Sequence, residues 1–222
     1  MMRELGAPER SPRSFTVHFC APVAEAESLI TVRIERAGRQ VSHLSARLEQ
    51  GGQVACLASA TFAVSRDTSL VFNHAQRPEA PPPQELTAIP NEFLPAFGAH
   101  FEYRWFRGLP FSGAAEADMG GWLRPRQGEP LDAPLLVGLL DAFPSAAFAR
   151  LEGFAQGATM DYTAHFYAPL PLTLSPDTFL LRTSHSRHAA QGYADDLAEL
   201  WTSEGQLLGQ LRQMAAIFPP SP

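Results

Sequence analysis

FTVHFCAP, residues 15–22, returns almost intact as YTAHFYAP, residues 162–169. Aromatic, Thr, any residue, His, Phe, any residue, Ala, Pro recurs in one register, so two copies of one structural unit are the leading inference. Around the first copy, residues 15–64 alternate apolar and polar side chains in three runs, separated by turns at Ala37-Gly38 and Gly51-Gly52. Short glycine turns between alternating runs predict an antiparallel strand meander and no helix. A second correspondence supports the duplication. Gly52-Gln53-Val54 and Gly205-Gln206-Leu207 open the last strand of each half, and aligning them sets Gln213 opposite Ala60.

Between the copies, residues 76–98 hold Pro78, Pro81, Pro82, Pro83, Pro90 and Pro95. Proline at that density removes amide donors, so this stretch reads as a linker between a first unit, residues 1–75, and a second, residues 99–222. Strands are expected at 101–106 and 114–123. The one long helix is expected at 132–148, with Asp132 as its N-cap and Pro134 in the first turn, where a missing N–H costs little. The repeated strand follows at 159–169, then strands at 178–184, 193–202 and 207–218.

The chain has 222 residues, 45% of them hydrophobic, enough for a sizeable core. A net charge of −6, with no Lys/Arg run beside aromatic residues, argues against nucleic-acid or anionic-membrane partners. Cys20 and Cys56 are the only cysteines, and neither sits in a CxxC pair. They cannot build a disulfide framework or a thiolate zinc site and read as small buried hydrophobes. The N-terminus has no apolar signal segment and no run approaches a membrane span, so a cytoplasmic location is expected.

The order of these features, with the repeated HF-x-AP strand, LLDAFP in the helix and a last strand carrying LRQMA, resembles the TesB-like acyl-CoA thioesterases. The resemblance implies an α+β double hotdog, in which each unit wraps a curved antiparallel sheet around one central helix. It also implies hydrolysis of an acyl-CoA without metal or cofactor, and carries the family's catalytic Asp, Thr and Gln onto Asp141, Thr159 and Gln213. The first unit departs from the pattern. It opens on MMRELG, which reads as the last turn of a helix closed by Gly6, so the first strand and most of the first helix are expected to be missing. Hotdog sheets pair edge to edge and a half without its helix exposes apolar surface, so a homo-oligomer is expected. The incomplete first half also leaves open a non-catalytic acyl-binding or scaffold protein.

Asp141 is the only charged residue between Asp132 and Arg150. Desolvation there would raise its pKa toward that of a general base, and Pro144 should end or kink the helix nearby. An Asp on a solvent-facing stripe is the bland alternative. Gln213 shares its strand face with Leu207, Leu211, Ala215 and Ile217, so its amide needs a partner, which backbone could also supply. Strand parity puts Thr159 with Asp161, Thr163 and His165. Leu136, Leu140 and Phe143 are expected to line the acyl slot, with a backbone N–H such as one at the helix start as oxyanion donor. His18 and His165 occupy equivalent places in the duplicated strand and read as scaffold. No G-x-S-x-G elbow, Gly-rich phosphate loop or H-E-x-x-H occurs, and Ala146 stands where hotdog hydratases carry a His.

Overall fold

The two copies of the repeated sequence lie side by side in a computed structural model, which describes residues 9–128 and 130–218. The first unit contributes β1 (Ser11–Phe19), β2 (Leu29–Ala37), β3 (Val41–Gln50) and β4 (Gln53–Ala63). The second contributes β5 (Phe101–Arg107), β6 (Asp118–Pro125), α1 (Ala133–Asp141), β7 (Gln156–Phe166), β8 (Leu180–His185), the short β9 (Ala189–Ala190), β10 (Tyr193–Trp201) and β11 (Leu207–Phe218). They form one antiparallel sheet of order β2-β3-β4-β1-β7-β11-β10-β8-β6-β5, with β9 on β10. The helix remnant and Gly6 cap expected at the start lie outside the described residues.

The expected meander needs one change: β1 pairs with β4, not with β2. Gly51 and Gly52, both at positive φ, make the tight turn between β3 and β4, which only glycine adopts without strain. Residues 20–28 after β1 are too long for such a hairpin and contain Pro22, so β1 is released to the far side of β4. Cys20 lies beyond the end of β1 and is exposed, while Cys56 is half-buried; neither is a fully buried hydrophobe.

At the seam, β1 and β7 pair so that Thr16 faces Thr163, with their hydroxyls 2.9 Å apart. Phe15 opposes Ala164 and Val17 opposes Tyr162, each the mirror of the other under the repeat. A local two-fold axis therefore passes between the threonines and relates the units.

The helix is shorter than the sequence predicts. Asp132 caps it by accepting from the Leu135 N–H at 3.0 Å, but the helix stops at Asp141 and the chain resumes as a 3₁₀ turn at Ala146–Arg150. Pro144 is the reason: it cannot donate to the Leu140 carbonyl, and its ring clashes with that carbonyl in a continuous helix. Residues Ala133–Arg150 are apolar and long enough to suggest a membrane span by composition, yet the segment is broken and more than half buried inside the fold.

The helix lies on the sheet of the second unit, where Leu136, Leu139 and Leu140 are completely buried. Gly209 on β11 makes this approach possible, because a Cβ there would sit 2.9 Å from Leu136 Cδ2 and 2.9 Å from the His165 carbonyl. The Pro-rich stretch is docked along the second unit: Trp122 Nε1 donates to the Pro81 carbonyl at 2.8 Å, Arg104 to that of Pro83 at 2.8 Å, and Ile89 N–H to that of Tyr103 at 2.9 Å. Proline has no N–H to give a sheet ladder, and the carbonyls of Pro81 and Pro83 are taken by side chains instead.

Candidate active site

Ending the helix at Asp141 puts its carboxyl at the edge of a cleft of about 1150 Å³. Burial pushes the Asp141 pKa up to about 6; Arg182 opposes the shift and the negative charge of Asp196 adds to it. Phe143, Trp105, Phe111, Phe148 and Phe154 line the cleft, and Phe93 and Phe97 of the Pro-rich segment form part of its wall. Trp105 stacks on Phe143 with centroids 4.1 Å apart. Thr159 and Gln213 share the lining with Asp141, so the three polar residues singled out in the sequence meet at one surface. Phe143 lines this cleft, but Leu136 and Leu140 do not: they point into the helix–sheet core, where both are fully buried.

Thr159 reaches this surface by a backbone irregularity. The β7–β11 register runs Met214 to Asp161 and then Ala215 to Thr159, leaving Met160 as a bulge. One extra residue reverses the parity of everything beyond it. Thr159 therefore joins the inward face of Tyr162, Ala164 and Phe166, not the outward face of Asp161, Thr163 and His165 on which simple alternation puts it. His18 and His165 lie on that outer face, with His18 Nδ1 3.9 Å from the Asp161 carboxylate and both side chains exposed.

Behind the cleft wall lies a charged network that sequence reasoning missed. Thr159 Oγ1 donates to Gln213 Oε1 at 3.2 Å, and Gln213 Nε2 donates to Asp196 Oδ2 at 3.2 Å. Asp196, on β10, also accepts the Ala146 N–H at 2.8 Å through Oδ1. Arg182, on β8, sits 4.0 Å from Asp196 Oδ2, and both side chains are fully buried. Its Nε donates to the Leu140 carbonyl at 2.8 Å, the acceptor that Pro144 leaves orphaned. Nη1 donates to Ser184 Oγ at 3.0 Å, and the guanidinium lies 4.6 Å from the centroid of the Phe143 ring. Burial raises the pKa of Asp196, while Arg182 and the two donors hold it down. The missed signal is parity: Asp196 alternates with Ala194, Ala198 and Leu200, and Arg182 with Leu180 and Ser184, so both charges face inward.

The backbone donor expected at the helix start is misplaced for this carboxyl, since that end lies about 12 Å along the axis from Asp141. The first two N–H groups after Pro144 and Ser145 are engaged as well, Ala146 with Asp196 and Ala147 with Ser145 Oγ.

Residues 74–217 match the family model of the acyl-CoA thioesterase C-terminal domain, and residues 1–63 that of the acyl-CoA thioesterase N-terminal domain. Among solved structures, the chain is similar to a conserved protein of unknown function with a hot dog fold from Alicyclobacillus acidocaldarius, at 27% identity and TM-score 0.85, covering 98% of this chain and 83% of that one. It shares its fold with the tesB protein of Mycobacterium avium subs paratuberculosis, at 23% identity and TM-score 0.78 over 96% of this chain and 81% of that one. The same holds for the acyl-CoA thioesterase II TesB2 of Mycobacterium marinum, at 20% identity and TM-score 0.77 over 96% and 83%. No curated protein matches the chain. Two family models in chain order, over one sheet built from a repeated unit, have a single reading: the chain belongs to the acyl-CoA thioesterase family and is a double hotdog.

Proposed function

We propose that the protein hydrolyses an acyl-CoA thioester to the free acid and CoA, using Asp141 as general base. Water attacks the thioester carbonyl carbon as Asp141 takes its proton, and the tetrahedral intermediate collapses with cleavage of the C–S bond. The proton then passes to the departing thiolate, so no covalent enzyme intermediate and no cofactor are required. Thr159 and Gln213 hold the water, and the acyl group lies against Phe143 in the aromatic cleft. The protein would act as a cytoplasmic homo-oligomer on acyl-CoA, with neither nucleic acid nor membrane as partner.

The observation that carries this reading is the Asp141 carboxyl at an apolar wall, its pKa raised by burial to about 6. Such a group is mostly ionised at neutral pH and is a stronger base than an ordinary carboxylate. Free-thiol release from a panel of acyl-CoAs tests it. Asp141→Asn is expected to lower kcat by about 10²–10⁴-fold, and kcat/KM of the wild type should fall on the acid side of about pH 6. Equal rates in the two proteins would overturn the mechanism; tight acyl-CoA binding without turnover would favour an acyl-binding protein.

A further inference from the structure

We propose that Asp196, braced by Arg182, is a positioning residue that fixes which way round the Gln213 amide sits, and thereby makes Thr159 a hydrogen-bond acceptor toward the cleft. The inference rests on the hydrolytic reading above. Oxygen and nitrogen of an amide are nearly isosteric, so the partners decide its orientation. Both oxygens of Asp196 accept here: Oδ1 from Ala146 N–H at 2.8 Å and Oδ2 from Gln213 Nε2 at 3.2 Å. Asp196 does not line the cleft, so it acts through Gln213 and touches no substrate.

With Nε2 committed to Asp196, Gln213 must present Oε1 to Thr159, and the Thr159 hydroxyl must donate to it, at 3.2 Å. The threonine proton is thus pointed into the wall, and the oxygen offers only lone pairs to the cleft. A water between Thr159 and Asp141 then directs one proton at each, and its own lone pairs are left free for the thioester carbonyl. Were the amide reversed, Nε2 would donate to Thr159, and the threonine proton would be free to bind a lone pair of that water. The nucleophile would be quenched without any change of shape. The Arg182 cation stabilises the charged form of Asp196, and its hold on the Leu140 carbonyl keeps it beside the helix end that carries Asp141.

Asp196→Asn inverts the arrangement. The introduced asparagine must keep its oxygen on the Ala146 N–H, so its nitrogen faces Gln213 and turns the amide round. Expected is a fall in kcat of about 100-fold with KM within about twofold. In the double variant Asp196→Asn/Gln213→Glu the carboxylate and amide change places. The asparagine then donates to one oxygen of the introduced glutamate, the other oxygen accepts from Thr159, and about tenfold of the lost kcat should return. A role that was merely structural predicts no such rescue. Full activity in Asp196→Asn, or a folded double variant no faster than the single, would overturn the proposal.

Neutron diffraction of the deuterated wild-type protein tests the same point without a variant. The expected map has the Thr159 deuteron toward Gln213 and the amide nitrogen toward Asp196; the reverse overturns the inference. That map reads orientation whether or not the protein turns over acyl-CoA. Loss of activity in Asp141→Asn beside full activity in Asp196→Asn defeats the positioning role and leaves the base assignment standing.

Discussion

The two units share their backbone down to its irregularities and differ where the charged network sits. Pro12 opposes Phe62 and the register shifts before Ser14 opposes Thr61; Thr159 opposes Ala215 and the register shifts before Asp161 opposes Met214. The bulge that turns Thr159 inward thus has a twin at Arg13, with Pro12 in the threonine's place. Phe15 opposes Ala60 as Tyr162 opposes Gln213, and Leu44 opposes Ala60 as Asp196 opposes Gln213. Ile30 opposes Leu48 where Arg182 opposes Leu200. Proline, alanine, leucine and isoleucine therefore occupy the positions of Thr159, Gln213, Asp196 and Arg182. The bulge is a property of the repeated fold, and the polar network consists of four side chains present in one copy and absent from the other.

Writing the first unit's residues into the second is the most severe way to break this comparison. Asp196→Leu alone leaves the Arg182 cation buried beside a hydrocarbon and should cost about 3–5 kcal/mol. Adding Arg182→Ile and Gln213→Ala removes the stranded groups, and the triple variant should regain at least about 2 kcal/mol of that loss while remaining inactive. Part of the cost persists because the Leu140 carbonyl and Ala146 N–H lose their partners. Urea unfolding measures both. A triple variant less stable than the single would show that the two units do not accept each other's side chains.

Asp141 has no counterpart among the described residues of the first unit, which contain no helix, so it sharpens the comparison from the other side. Its pKa in the folded protein, about 6, lies above the ordinary 3.8, so folding favours its protonated form. Ionised Asp141 therefore costs stability above pH 6, and the cost disappears as pH falls below about 4. Discounted for its contact with the cleft, the penalty is about 2 kcal/mol. Asp141→Asn should accordingly melt about 4–8 °C higher than wild type at pH 8 and within about 1 °C at pH 4. A constant difference across that range would mean that burial does not govern this carboxyl.

The duplication is readable because one strand kept its sequence, and the Gly-Gln alignment that sets Gln213 opposite Ala60 agrees with the pairing. The N-cap at Asp132 and the last strand at 207–218 are local signals of the same kind. Thr159 cannot be oriented from alternation, since a bulge is a one-residue event that leaves no mark in a pattern of period two. The helix reads too long in the sequence, although Pro144 is in view, because the run up to Phe148 stays apolar after the helix has ended. Arg182 and Asp196 lie on separate strands and become a pair only once β8 and β10 are known to be neighbours. Leu136 and Leu140 are apolar and near Asp141, which suggests the cleft, but residues on that helical stripe face the sheet.

The seam where the copies meet yields the smallest effect and the most direct test of symmetry. Thr16 and Thr163 share one hydroxyl–hydroxyl hydrogen bond at 2.9 Å, so removing either hydroxyl removes the same interaction. Thr16→Val and Thr163→Val should each cost about 1 kcal/mol, agree within a few tenths, and combine to little more than either alone. Valine keeps the shape and strand preference of threonine, so the hydroxyl is what the comparison isolates. An additive double variant would mean that each threonine has its own partner. Unequal single variants would mean that the flanking difference, Ser14 in one copy and Asp161 in the other, already tilts the axis, and that divergence of the units begins at the repeated strand itself.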